Sequence, residues 1–459
     1  MKFKNFFYFL SFALILLSTL PIIQSCSNDD ESDPKVVRDD PDNEWGVSEN
    51  TIDFQEINVN TVSSSKSVTL TAEQLTSEIN LVTEGDYIIS LNDSDFSNEL
   101  SIPASDANDQ HIIYIKFTPQ KSGVRTGKII ITNTEAATLN VQLNGNGAVM
   151  VTNVKAFENT RLAFGGGYQQ TAKQTFDMPE DITNVSRIKM FVKLRCPSGG
   201  CDEWDVYANV RVKDDASGEF FEMGRYITPY WNDNSQLSRG FEFDVTDFKS
   251  LLAGSTELRI KTECWNADGY LVSVDFDYEF GGSDYPYYAI SRVMAYNNSS
   301  IDGVPYGVAH NLDLDKTISV PSNAETTHLR TIISGWGHAT PYDVGGRPCA
   351  EWCFRTHEIK INGAPTFEHS LNPLGCAQNP VSNQAPGNWQ PDRAGWCPGM
   401  EVPTRIDHFD NAMAGSNFTY EYDYEDWTND GANGDAYYAT STFVVVKSNS
   451  PIDAPTVND

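Results

Sequence analysis

Between residues 51 and 147, apolar and polar positions alternate in short runs. Examples are Ile112-Ile113-Tyr114-Ile115-Lys116-Phe117, Lys128-Ile129-Ile130-Ile131, and Leu139, Val141 and Leu143 on one side. A period of two sends successive side chains to opposite faces of a strand. Strands this short, evenly parted by polar turns, predict a β-sandwich of roughly 100 residues. The turn Asn144-Gly145-Asn146-Gly147 and the weaker break Phe280-Gly281-Gly282-Ser283-Asp284-Tyr285-Pro286 divide the rest into two further β units. At about 135 and 170 residues, each is large enough for two sheets. Only Thr246 to Leu252, stopped by Gly254, has a helical pattern, and a short one.

Strand parity also locates candidate chemistry. In the run from Trp204 to Lys213, parity puts Trp204, Val206, Ala208, Val210 and Val212 on the buried face. Asp205 then opens the other face at the strand's start; by position alone, a solvated strand-end acid is its simpler reading. Leu258, Ile260 and Cys264 share one face of another strand, with Glu263 and Trp265 on the opposite one.

The first 25 residues break the alternation. Lys2 and Lys4 precede an apolar run from Phe6 to Ile23, and Ser25 stands before Cys26. This order predicts a cleaved signal peptide, not a membrane span. Cys26 resembles the lipid-modified first residue of bacterial lipoproteins. Asp29, Asp30, Glu31, Asp33, Asp39, Asp40 and Asp42, with Pro34 and Pro41, cannot pack and read as a solvated tether. The expected location is the outer membrane or cell surface, reached by export, with the membrane touched only through Cys26. A secreted or periplasmic chain is the alternative.

Composition changes the picture in two ways. The chain has 459 residues with 24 Phe, 20 Tyr and 9 Trp, too aromatic to be disordered for most of its length. Its 32 basic against 63 acidic residues give −31, a sign that excludes nucleic acid as a partner. After Cys26 come seven cysteines, which should pair in an oxidising space. Sequence-local pairing joins Cys196–Cys201, Cys349–Cys353 and Cys376–Cys397, leaving Cys264 as a small core residue, with a reactive thiol the alternative. Zinc held by the first two pairs is the rival, but their spacing is loose and they lie far apart. His338 and His357 stand without a second histidine at ligand spacing, so neither metal nor cofactor is expected. No nucleophile elbow or phosphate-binding glycine loop occurs.

If Cys349 and Cys353 pair, Glu351 stands at the apex of a small ring beside Trp352, a water-poor setting that suits a carboxylate to proton transfer. These segments belong to a longer series: Cys-Asp-Glu-Trp-Asp (201–205), Ile-Thr-Pro-Tyr-Trp (227–231), Ser-Ile-Asp-Gly-Val-Pro-Tyr-Gly (300–307), Ile-Ser-Gly-Trp-Gly-His (333–338), Cys-Ala-Glu-Trp-Cys-Phe-Arg-Thr-His (349–357) and Pro-Asp-Arg-Ala-Gly-Trp-Cys-Pro-Gly-Met (391–400). Over residues from about 152 to 456, the chain resembles the peptide-N-glycosidase F family. Residues 51–147, from Phe117-Thr118-Pro119 to the closing Asn-Gly turn, resemble an immunoglobulin-like module that lies outside the best-known member's mature chain.

The resemblance implies an all-β chain: an N-terminal immunoglobulin-like sandwich followed by two side-by-side antiparallel jelly-roll sandwiches, with the active site between the latter. The expected divisions are 1–25 signal, 26–50 tether, 51–147 module, and 148–282 and 283–459 jelly rolls. The implied reaction is hydrolysis of the amide joining the first N-acetylglucosamine of an N-glycan to asparagine, on a glycoprotein or glycopeptide, by a monomer. The family's catalytic aspartate falls on Asp205, its partner glutamate on Glu351 and a further essential carboxylate on Glu263. The family's three disulfides coincide with the pairs drawn from spacing. Asp202, Trp204, Trp265, Trp336, Trp352 and Arg393 are the candidates to bind substrate. Core packing is the even alternative for the tryptophans, and a surface ion pair is the alternative for Arg393. Known members carry arginine after the catalytic aspartate; here it is Val206, which removes one expected substrate contact. Two rival functions remain, a glycan-binding surface lipoprotein without catalysis and a copper monooxygenase. Three convergent acids argue against the first, and the lack of histidine pairs against the second.

Overall fold

A computed structural model describes residues 45–297, 303–342 and 348–459. The signal segment, Cys26, most of the tether and the start of the 300–307 motif lie outside the described residues.

The strands form three pairs of facing sheets. In the first, the strands Trp45–Val47, Lys66–Ala72, His111–Phe117 and Tyr87–Ser90 lie side by side in that order. Opposite them run Thr51–Asn58, Leu139–Ala148, Gly123–Thr132, Ile79–Glu84 and Glu99–Ile102. The inward residues are those the alternation selects: Ile113, Ile115 and Phe117 meet Ile129, Ile131, Val141 and Leu143 in one apolar core.

In the second pair, Met150–Lys155, Tyr270–Phe280, Val185–Arg195 and Phe241–Asp244 form one sheet. Thr171–Asp177, Ser255–Thr262, Tyr207–Lys213 and Phe220–Ile227 form the other. In the third, the order Tyr287–Tyr296, Tyr437–Ser448, Thr326–Trp336, Thr404–His408 packs against Ala364–Ser370, Thr356–Ile361, Asn417–Asp423, Asp315–Ser319 and Thr456–Asn458. The helical pattern at 246–252 becomes a 3-10 turn, Thr246–Leu251.

The strand Tyr207–Lys213 departs from simple alternation, being buried at every position from Tyr207 to Val212. Ala208, Val210 and Val212 fill their own sandwich. The opposite face is pressed against the third sandwich. There Arg211 donates to the carbonyl of Asn297 at 2.7 Å. On the neighbouring strand, Glu222 accepts from the Ser441 hydroxyl at 2.7 Å, and Arg225 donates to the carbonyl of Ala439 at 2.7 Å. Burial raises the Glu222 carboxyl, but Arg225, 2.8 Å away, outweighs it and holds the group at about 2. A seam of buried, hydrogen-bonded charges therefore joins the two sandwiches.

Parity fails at the strand's beginning. The strand starts only at Tyr207, so Trp204 lies in the preceding loop with half of its surface exposed instead of sharing the buried face. Val206 is buried as expected. The first sandwich touches the second at the far end of Tyr270–Phe280. A Cβ on Gly281 (φ +118°) would lie 2.7 Å from Val59, so glycine is required there.

Candidate active site

At one end of the second sandwich four strand ends stand together. Register pairs Thr171 with Lys261, Ala208 with Thr262, and Tyr207 with Ile227. Glu263, Asp205 and Tyr230 therefore emerge from adjacent loops. The Cys196–Cys201 bridge closes just before them.

Asp202 organises these loops. It is 0% exposed; one carboxylate oxygen accepts the Trp204 amide at 3.0 Å, and the other accepts those of Trp265 and Asn266 at 2.8 and 3.2 Å. Its own carbonyl takes the Trp231 amide at 3.2 Å. Asp202, expected to meet substrate, is thus a buried carboxylate with both oxygens occupied, a post to which three loops are tied.

The Asp205 carboxylate is nearly buried and accepts from Nη2 of Arg393 at 3.1 Å. The same nitrogen lies 3.3 Å from the Tyr230 hydroxyl. Burial pushes Asp205 up to about 7; Arg393 opposes that rise and Glu351 adds to it. The solvated reading of Asp205 does not fit this setting.

Glu351 approaches the same guanidinium from the other side, with Oε1 3.6 Å from Nε of Arg393. Its Oε2 lies 3.0 Å from Nε2 of His338, which also accepts the indole N–H of Trp352 at 2.9 Å. Glu351 raises the His338 pKa through this contact, against burial. The backbone fixes the acid as well: its amide donates to Gly337 at 3.1 Å, and its carbonyl accepts from Ala394 at 2.7 Å, beside the Cys349–Cys353 bridge.

Arg393 is buried, not a surface ion pair. It donates to the carbonyls of Pro391 at 2.7 Å and Asn388 at 2.6 Å, and lies 4.5 Å from the centre of the Trp352 ring. One fixed cation thus stands between two acids.

Glu263 is set aside by one strand. Burial raises its carboxyl, while Lys261 at 2.8 Å opposes the rise. Among the described residues, Tyr437 senses both sides: burial raises its hydroxyl first, then the charges of Glu263 and Glu351. Tyr437 therefore stands near both Glu263 and Glu351, but the three acids do not form a single cluster.

The tryptophans divide. Trp265 and Trp204 are exposed at the mouth, whereas Trp352 covers Arg393. Trp336, half-buried, stacks on Trp396 at 4.5 Å and donates to Ser334 at 2.9 Å. Cys264 is a free, buried thiol that donates to the Leu162 carbonyl at 3.4 Å, and burial raises its pKa far above the reactive range. The third bridge, Cys376–Cys397, lies near Asp392, but both sulfurs are spent in the disulfide.

Sequence reasoning missed Tyr230, Tyr437 and the pairing of His338 with Glu351. Tyr230 and His338 both fall inside quoted motifs, yet no spacing between them marks a cluster, because chain segments more than 100 residues apart supply its members. Chemically, the arrangement offers an acid that titrates near neutrality, a second carboxylate with a histidine partner, and a cation to steady negative charge between them.

The family description "Peptide-N-glycosidase F, C terminal" matches residues 306–445. A curated relative from Elizabethkingia miricola, peptide-N(4)-(N-acetyl-beta-D-glucosaminyl)asparagine amidase F, is 60% identical over 307 residues, spanning 67% of this chain and 87% of its own length. The solved structure of PNGase F, a glycosylasparaginase from Flavobacterium meningosepticum, is 59% identical with a TM-score of 0.66, and covers 68% of this chain and 100% of its own. PNGF-II, at 12% identity and a TM-score of 0.53 over 85% of this chain and 95% of its own, shares the fold alone.

Proposed function

The chain belongs to the peptide-N-glycosidase F family, and from that premise we propose how its residues perform the reaction. The protein is an amidase. It hydrolyses the bond between the proximal N-acetylglucosamine of an N-glycan and asparagine, leaving aspartate in the peptide and releasing the glycan as a glycosylamine.

The amide needs help twice. Water must lose a proton as it attacks the carbonyl carbon, and the nitrogen must gain one as the C–N bond breaks. Asp205 is our choice for the proton-transferring group, because it titrates near pH 7 and sits at the cleft. Glu351, with His338, positions water. Arg393 keeps the two acids apart and offsets the negative charge that grows on the carbonyl oxygen. Glu263 and the exposed Trp204 and Trp265 hold sugar. The observation that carries this reading is the bridging of Asp205 and Glu351 by a single buried arginine.

Export is part of the same proposal, supported by three disulfides and by the leader-like first 25 residues. Anchoring through Cys26, a monomeric state and a docking or spacing role for the 51–147 module complete it. The test is incubation with a denatured glycoprotein. Glycan loss with a gain of about 1 Da per site marks Asn becoming Asp. Retention of the glycan by tight binding, without release, would favour the lectin-like alternative.

A further inference from the structure

Exposed aromatic side chains stand in a row along the same strand ends. Across the sheet come the loop before Thr171, the loop after Thr262, the loop before Tyr207 and the loop after Ile227. They carry Phe164 and Tyr168, then Trp265, Trp204 and Trp231, exposed by 61%, 40%, 69%, 50% and 49%. Strands lie about 4.8 Å apart, so the row extends for about 15 Å.

The Phe164 end is a built structure, not a loose loop. Gly165, Gly166 and Gly167 all take left-handed φ, which lets the chain double back; a Cβ on Gly166 would come within 3.0 Å of Ala267. The Phe164 amide donates to the Asn266 carbonyl at 2.8 Å. Arg161 donates to the Ala267 carbonyl at 2.9 Å and to the Tyr168 hydroxyl at 3.2 Å, with its guanidinium 4.2 Å from the Tyr168 ring centre. The loop is thus fastened to the Trp265–Ala267 segment, which Asp202 holds in turn. Keeping a phenylalanine in water on so constrained a loop contributes nothing to the fold, and exposed apolar rows of this kind mark binding surfaces.

We propose that Phe164 and Tyr168 form an outer saccharide subsite, continuous with Trp265, for sugars of the N-glycan beyond the two N-acetylglucosamine residues nearest asparagine. The proposal rests on the amidase reading above. Aromatic faces pack on the C–H faces of pyranose rings. An extended polypeptide would need free backbone partners, yet Ala163 and Tyr168 donate their amides to Gln169 and Gly165 at 3.1 Å, and Phe164 is engaged as described. Glu263 and Trp265 lie between this loop and Asp205 in the order of strand ends, so sugars leaving the cleft on that side pass over them to reach it.

The test uses the full chain and one glycopeptide sequence, carrying either two N-acetylglucosamine residues or a complete branched glycan. For the complete glycan, Phe164→Ala and Tyr168→Ala are expected to raise KM roughly three- to tenfold with kcat unchanged, and Phe164→Trp to retain wild-type KM. For the two-sugar substrate, KM should stay within about twofold of wild type. Equal effects on both substrates, or none on either, would overturn the subsite. An effect that grows with peptide length at constant glycan would assign the surface to polypeptide and overturn it too. Failure of the wild-type chain to release either glycan would strike the amidase reading instead.

Discussion

At the scale of single residues, Asp205 owes its position near neutrality to burial that Arg393 only partly offsets. Asp205→Asn, which keeps the shape but cannot exchange a proton, is expected to lower turnover by about 10² or more. Activity within tenfold of wild type would remove Asp205 from the proton-transfer role. The same shift has a consequence for stability. An unfolded aspartate titrates at about 3.9, so the folded chain holds the extra proton between that value and about 7. The stability this group contributes is fully present below pH ~4 and is lost as pH rises through ~7. Asp205→Asn should therefore melt at or above the wild-type temperature at pH 8, with the gap closing towards pH 4; a mutant that melts lower at pH 8 would contradict the shift. His338 carries the other residue-scale expectation. Its Nε2 cannot accept from Trp352 and donate to Glu351 at once, so the protonation of the ring decides which neighbour it holds. His338→Ala should lower kcat about tenfold, with a smaller loss for His338→Gln, and should change the pH profile of kcat more than KM.

At the scale of elements, the alternation in the sequence was sufficient for strands whose outer face meets water. It selects the inward set of His111–Phe117 and of Leu139–Ala148, and a separate helical pattern marks the short turn at Thr246–Leu251. It misjudged Trp204, because what shapes residues 202–206 is not a strand ladder but amides gathered on Asp202, a tertiary device that periodicity does not encode. It also could not reveal that Tyr207–Lys213 is buried on both faces, since Asn209 and Arg211 read as polar and outward until a second sandwich covers them. The three bridges were legible from spacing, and the positions of Asp205 and Glu351 from motifs. Among these elements the hairpin His338–Ala339/Cys349–Ala350 supports Glu351. Cys349→Ser with Cys353→Ser opens a ring of only a few residues and should leave the melting temperature nearly unchanged. Turnover should fall nonetheless, since a displacement of ~1 Å can cost about 10² in rate. A large fall in melting temperature with normal turnover at low temperature would make the bridge structural alone.

At the scale of the molecule, the cleft is only as firm as the seam between the second and third sandwiches. Glu222→Gln leaves Arg225 buried without its charge partner, a change that typically costs about 3–5 kcal/mol. Because the wild-type carboxyl titrates at about 2, its contribution is present above the ordinary carboxylate range and disappears as pH falls through ~2. The mutant's deficit should thus be full at pH 7 and shrink in acid, as calorimetry can establish. The N-terminal sandwich meets the second at Gly281, at the opposite end of Tyr270–Phe280 from Asp202. Removal of residues 45–147 should therefore leave kcat/KM on a soluble glycopeptide within about twofold; a greater loss would show that the module reaches the cleft. Finally, the unpaired Cys264 provides a gauge of how the enzyme opens. Its sulfur lies between Glu263 and Trp265 in the chain, yet it is sealed from solvent. A thiol reagent can reach it only when the walls of the first jelly roll part, so the speed of labelling times that rare event without any added dye. Labelling that tracks global melting would describe a cleft that opens only when everything does; labelling faster than that would reveal a private motion of the catalytic end.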